Sequence, residues 1–328
     1  MRGYRLVKTP RSRRLVFGAI ALGALLGAPW VLDAYTISIA SRSLIFGLLA
    51  ISVNLLTGVS GLPSLGQAAY FGVGAYTAAI LARTTTDVGL VQITLAAVIA
   101  AATAAITGAG AVRARGAPFL MITFAIGELG YQAAGQWRGV TNGTDGLSGI
   151  PAVVPFWGMS ALVQDGLVYY YVLAHFLVLF GAASLLVRAP FGLALRGMRD
   201  NEARMGATGY PVGRYLLVAY SLAGALAGAA GALWVSVQQF IAPSDIGFEV
   251  SALALLAVAI GGMGSMWGSC AGAALVVFTR DELAGHDPFV GHGLLLLGLL
   301  FVLVVYLLPR GVAAGCPRRR THRLLPHE

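Results

Sequence analysis

Charge is scarce in this chain: Asp, Glu, Lys and Arg make up 11% of its 328 residues, and the one lysine, Lys8, lies in the N-terminal tail. A Gly-Lys-Ser/Thr phosphate loop is therefore absent, and energy for any driven process must come from another chain or from an ion gradient. Cysteine is nearly absent too. Cys270 lies in an apolar stretch and Cys316 in a basic tail, which excludes a disulfide framework and a cysteine metal site. Of the five histidines, His286 and His292 fall with Asp287 in "GHDPFVGH", near Asp281 and Glu282. That spacing matches no metal-ligand pattern, and a polar loop explains it better. No Ser/His/Asp, zincin or paired-carboxylate constellation can be assembled, which disfavours an integral-membrane enzyme.

What is present is apolar surface. Hydrophobic residues make up 58% of the chain, and the mean hydropathy is +0.80. The apolar runs are continuous, about 15 to 25 residues long and rich in Leu, Ala, Val and Gly, without the two-residue alternation of a transmembrane β-barrel. The expected fold is all-α: a polytopic membrane bundle of about ten spans near 15–35, 42–58, 65–82, 88–111, 117–136, 167–187, 214–240, 250–265, 267–282 and 290–309. Its organisation is a basic tail over 1–14, a transmembrane domain over 15–309 and a second basic tail over 310–328.

The basic residues orient this bundle. With both termini on one side, that side holds the arginines and Lys8 of 1–14, Arg113, Arg115, the five arginines from Arg188 to Arg214 and the five from Arg310 to Arg323. The exceptions, Arg42, Arg83, Arg138 and Arg280, sit at or near the opposite ends, close to acids such as Asp87, Asp281 and Glu282. The positive-inside rule makes the termini cytoplasmic, in a cell inner (plasma) membrane, and the net charge of +9 reflects leaflet orientation rather than nucleic-acid binding. The basic N-terminus before an apolar run also suits a signal peptide, but no small-x-small cleavage site follows, and an uncleaved first helix is expected.

The loop 188–214 is then the longest internal connection. Leu195, Met198, Glu202 and Met205 share one helical face, so the pattern predicts a short amphipathic helix stopped by Gly206, Gly209 and Pro211. It either lays its arginines on lipid headgroups or docks on a protein partner.

Two apolar segments are cut short: 42–57 by Gly58, Gly61 and Pro63, and 250–260 by Gly261, Gly262 and Gly264. Neither spans about 30 Å at 1.5 Å per residue without its irregular part. The breaks resemble each other, and broken segments in corresponding halves point to a substrate path. Ser64 and Ser265 could each cap the helix that follows, with or without lining that path. Asn54, Thr57, Gln67 and Tyr70 are polar exceptions among small packing residues such as Ala68, Gly72, Gly74 and Ala78, and are path candidates. Glu128 is a lone acid within a span. It could attract a substrate ammonium, accept structural hydrogen bonds or sit near outer water. The loop 138–166 carries the turn-rich "TNGTDGLSGIP".

Several stretches, in order, carry a resemblance: "LTGVSGLPSLGQAAYFGVGAYTAAIL", "GAPFLMITFAIGEL", "VTNGTDGLSGIP", "FGLALRGMRDNEARMGATGYPVGRYLLVAYSLAGALAGAAGALW", "AIGGMGSMWGSCAGAAL" and "LLLLGLLFVLVVYLLPRG". Together they cover most of 43–311. Each is similar to a segment of the LivM-type branched-chain amino acid permeases of ABC importers. The resemblance implies that 188–214 is a coupling loop docking on an ATP-hydrolysing subunit, with Arg196, Arg199, Asp200, Glu202, Ala203 and Gly209 as docking candidates. Arg204-Met205-Gly206 departs from the small and acidic residues more usual there, and Gln67 stands where the family favours His. Thr141, Asn142, Asp145 and Gly146 would face a periplasmic substrate-binding protein.

Also implied are a second, related permease chain and two cytoplasmic ATP-binding subunits carrying ATP and Mg, with no cofactor in this chain and no fused ATPase domain in the residues after Pro309. Relatives of similar appearance serve urea, amides and aromatic acids. A self-contained secondary transporter, with Glu128 as its ion-coupling carboxylate, is the contrasting reading.

Overall fold

The computed structural model describes residues 32–156 and 158–283, together with 23, 25–30, 298, 299, 302 and 306. Expected spans 15–35 and 290–309, both charged tails, and His286, Asp287 and His292 lie wholly or largely outside them. The described residues form helices and no strand, with two isolated bridges, Val88 to Val154 and Leu147 to Ile241. In chain order the helices are α1 (Ala34–Asn54), continued by a π-helical turn (Leu55–Ser60), α2 (Gln67–Thr84), α3 (Gly89–Ala111), α4 (Ala117–Gln136) and α5 (Arg138–Thr141). Then follow α6 (Asp165–Arg188), α7 (Pro190–Asp200), α8 (Glu202–Ala207), α9 (Val212–Gln238), α10 (Phe248–Gly261) and α11 (Met266–Phe278). Five segments among the described residues are long and apolar enough to cross a membrane: Ala34–Ser60, Gly89–Ala111, Asp165–Arg188, Val212–Gln238 and Pro243–Gly261.

The first expected break is present, since the helical chain stops at Gly61 (φ +76°) and resumes at Gln67, but the start expected for the segment before it is a correction. The sequence reading ends one span at 35 and starts a short one at 42, yet α1 runs unbroken from Ala34, and its 27 residues with the π turn reach about 40 Å. Serines in its first half bond within the helix: Ser41 Oγ donates to the Ile37 carbonyl at 3.0 Å and Ser43 Oγ to that of Ile39 at 2.8 Å. The second break is real. Helix α10 (14 residues) follows a short turn at Pro243–Ile246, α11 (13 residues) runs on into a π turn (Thr279–Leu283), and the two fold back on one another through Gly262–Ser265.

Helix α9 is the centre of the bundle, packed on α3, α2 and α1. Its small residues let backbones meet, as close packing among lipid-soluble helices requires. Gly74 of α2 lies so close to Gly228 of α9 that a methyl group on it would overlap the Gly228 carbonyl, and Ala75, Ala78 and Ala79 beside it are fully buried.

Candidate functional site

The loop 188–214 folds as two helices, where one was expected. Pro190 opens α7, where its missing N–H has no partner to lose. Leu195 and Met198 bury one face of α7 beside Gly192 and Ala194. At Asn201 the backbone leaves the helix (φ −160°, ψ 98°), and the Asn201 side chain accepts the Arg204 N–H at 2.9 Å, starting α8. Gly209 then takes φ +88° and the Tyr210 N–H returns to the Met205 carbonyl at 3.2 Å, a Schellman-type stop. Asparagine before Glu202 was the available signal for the extra start.

The six docking candidates divide by direction. Arg196, Asp200, Ala203 and Gly209 are exposed. Glu202 turns back into the protein: Arg115, beyond α3, holds its carboxylate with two hydrogen bonds of 2.6 Å, Nε to Oε2 and Nη2 to Oε1. This bidentate pair, with the Arg115 hydrogen bond as the main cause, holds the Glu202 carboxyl below the usual carboxylate range. Arg199 is exposed like those four, yet its guanidinium donates to the carbonyl of Gly58.

Gly58 lies in the π turn at the end of α1, and there the two breaks meet. The Gly264 N–H donates to Asn54 Oδ1 at 2.8 Å, while Gly61 (φ +76°), with Arg199 packed against it, and Gly264 (φ +87°) both hold left-handed backbone that a side chain would strain. Asn54 thus fastens one break to the other. Ser265 Oγ accepts the Gly268 N–H at 3.1 Å and caps α11. Ser64 does not cap α2: it accepts the Gly66 N–H at 3.3 Å within the segment 61–66. Two residues that the sequence reading passed over take its place, because the segment is buried against other helices. Ser251 of α10 accepts the Ala68 N–H at 3.0 Å, and Thr123 of α4 accepts the Leu65 N–H at 3.2 Å.

The remaining path candidates differ sharply. Tyr70 is fully buried with its hydroxyl committed to Thr107 at 2.6 Å and Tyr220 at 2.9 Å, so it ties α2 to α3 and α9. Gln67 is equally buried, but both atoms of its amide lack a partner among the described residues, as does the Thr57 hydroxyl. Unsatisfied polar atoms at such depth are rare in folded proteins. Glu128 is half-buried and accepts from Gln132 Nε2 at 2.8 Å, one turn along α4.

In the loop after α4, Thr141 is buried with its hydroxyl on the Ala134 carbonyl at 2.6 Å, and Asn142 Nδ2 donates to the Gly146 carbonyl at 2.9 Å. Asn142 and Asp145 are exposed, Thr141 and Gly146 buried. The Leu147 to Ile241 bridge pins this loop beyond the end of α9.

A second region was not foreseen as a site. A cavity of about 240 Å³ opens between α1, α9, α10 and α11, lined by Arg42, Gln238, Asp245, Arg280 and Asp281 together with an apolar wall. Arg42 Nη1 lies 3.4 Å from Asp281 Oδ2, and Nη2 donates to Gln238 Oε1 at 3.2 Å. These residues come from elements about 200 positions apart, a juxtaposition that no local pattern encodes.

The chain has counterparts in sequence among known proteins. The sequence model described as "Branched-chain amino acid transport system / permease component" matches residues 35–305. The chain is 28% identical over 305 residues to the high-affinity branched-chain amino acid transport system permease protein LivM of Escherichia coli, covering 87% of this chain and 71% of that protein. LivM of Salmonella typhimurium matches to the same extent. The probable branched-chain amino acid transport permease protein LivH of Methanocaldococcus jannaschii is 23% identical over 289 residues, covering 85% of this chain and 91% of that one. No solved structure matches significantly. The chain belongs to the permease-component family of branched-chain amino acid transport systems.

Proposed function

We propose that this chain is a transmembrane subunit of an ATP-driven importer of branched-chain or other small hydrophobic amino acids, lying in the inner membrane with both termini cytoplasmic. The observation that carries the reading is the Arg199 guanidinium on the Gly58 carbonyl. It gives a segment expected to touch an ATPase a direct hold on the point where both helix breaks meet. Movement of α7 and α8 would pull Gly58, and through Asn54 the turn at Gly264, so that the breaks open or close together. Arg196, Asp200, Ala203 and Gly209 form the outward, docking side, while Arg199 and Glu202 form the inward, transmitting side. ATP and Mg belong to two partner ATPase subunits. A second, related permease chain completes the pathway, and Asn142 and Asp145 face a periplasmic binding protein.

The polar atoms of Gln67 and Thr57, buried without partners, are the interior groups free to meet a passing substrate. Glu128, bonded to Gln132 on a half-exposed helix, gives no support to an ion-coupled transporter. The test is purification of the tagged chain in mild detergent from its host, with mass spectrometry of what accompanies it. Recovery of an ATPase and a second permease is expected. Active protein recovered alone, reproducibly, would overturn the importer reading.

A further inference from the structure

We propose that the exposed face of α4 is the surface on which a second, different membrane-spanning chain docks, and that Glu128 takes a hydrogen-bond donor from that chain. Three observations lead there.

The first is a mismatch between exposure and polarity. Helices α3 and α6 turn outward faces that suit hydrocarbon: Leu95, Val98 and Ile106 on one, Leu177, Val178 and Leu185 on the other. The Thr94 hydroxyl in the α3 face bonds back to the Leu90 carbonyl at 2.7 Å, and the charges of α6, Asp165 and Arg188, stand at its two ends. Helix α4 is more exposed than either, since only Phe119, Thr123 and Ala134 of its 20 residues are buried. Yet α4 is not among the segments apolar enough to cross a membrane, and its exposed face carries Gln132 and Gln136 beside Met121 and Leu129. Amides turned to lipid would have no hydrogen-bond partners.

The second is Glu128. Counted along α4, it stands about 2 Å from the middle of the helix. It accepts one hydrogen bond, from Gln132 Nε2 at 2.8 Å, and no cation pairs with it: the ion pairs among the described residues are Arg42–Asp281, Arg115–Glu202 and Arg280–Glu249. A carboxylate at that depth faces protein rather than lipid, and takes donors from what covers it.

The third is shape. Ala125 and Ala133 flank Leu129 at intervals of four residues on the exposed face, so a helix laid along α4 meets one large side chain between two small ones.

The face runs the length of α4, about 30 Å, so its occupant spans the membrane as well. A second copy of this chain does not fit. A two-fold axis along the membrane normal joins the same patch of both copies at the same depth, which sets two Glu128 carboxylates side by side. The chain that fits offers an amide, a hydroxyl or a cation there instead. That it is the second permease rests on the importer reading; that it spans the membrane and donates rests on α4.

The experiment places the photo-cross-linker p-benzoylphenylalanine at Val98, Ala125, Leu129 or Val178 of the full chain in its native membranes, and identifies what each position captures by mass spectrometry. Positions 125 and 129 should capture a different multi-span chain, and positions 98 and 178 should not. Glu128→Leu should lower the share of that chain retained through mild-detergent purification at least about 10-fold, as expected for losing a hydrogen bond to a charged group. The Glu128→Leu chain should itself stay monodisperse with its thermal midpoint unchanged, a separation that a misfolded variant cannot show. Glu128→Gln, which keeps an acceptor, should lose less of the partner.

Capture at 98 or 178 in place of 125 and 129, a cross-link closed within the chain, a second copy of this chain at 129, no capture at any position, or full retention of the partner with Glu128→Leu would overturn the proposal. Capture of a different spanning chain at 129 in a complex without an ATPase would sink the importer reading and leave the docking face standing. An ATPase-bearing complex whose second permease is captured only from 98 or 178 would do the reverse.

Discussion

The two ends of this bundle are built on opposite principles. At the junction of α8 with Arg115 the charged groups are closed: a bidentate pair at 2.6 Å, with Arg199 on a backbone carbonyl nearby. At the cavity they are loose, at 3.2 to 3.6 Å, with donors left vacant. A fully satisfied charge network rigidifies its surroundings, whereas partly satisfied groups leave theirs looser.

The contrast needs a rigid middle, and the largest effect comes from removing it. Gly74→Leu would drive a side chain into the backbone of α9 and should cost several kcal/mol, read as loss of monodisperse protein on size exclusion. A smaller break is Gly264→Ala, which forces an L residue into φ +87° beside Gly58 and should cost about 1 to 2 kcal/mol, seen as a lowered thermal midpoint. Ser265→Ala removes the cap of α11 and should cost about 1 kcal/mol by the same assay.

The smallest effect tests how closed the Arg115–Glu202 pair is. The Glu202 carboxyl is held below its usual range, chiefly by the Arg115 hydrogen bond, so its folded value lies beneath its unfolded one. Its contribution is therefore complete above the unfolded value and is lost as pH falls through the folded one. With both partners more than a third exposed, the pair contributes no more than about 1 kcal/mol. Glu202→Gln should lower the thermal midpoint slightly at pH 7, and the gap from the unmodified chain should vanish in acid below the carboxylate range. A constant gap across that range would show that the pair does not contribute as an ion pair.

Much of the segment 188–214 was legible in the sequence because its signals are local. Clustered arginines, Gly209 and the spacing of Leu195 and Met198 marked its helical part, Gly58, Gly61 and Pro63 marked the first break, and glycines 261, 262 and 264 marked the second. What escaped was the long-range wiring. Arg115 counted only as an inward-side charge, since nothing near it in the chain announces Glu202. Ser64 was assigned a cap that Ser251 supplies from another helix. Arg42 and Asp281 were noted only as charges near the outer ends, and their meeting with Gln238 and Asp245 around a cavity needed the helices to be folded together.

The central claim is that Arg199 links the segment 188–214 to the two helix breaks. The most direct test reconstitutes the complex with Arg199→Ala in proteoliposomes and measures leucine imported per ATP hydrolysed. The account predicts continued hydrolysis with at least about a 10-fold fall in that ratio, since a hydrogen bond from a charged group is worth about 1.5 to 3 kcal/mol. An unchanged ratio would contradict it.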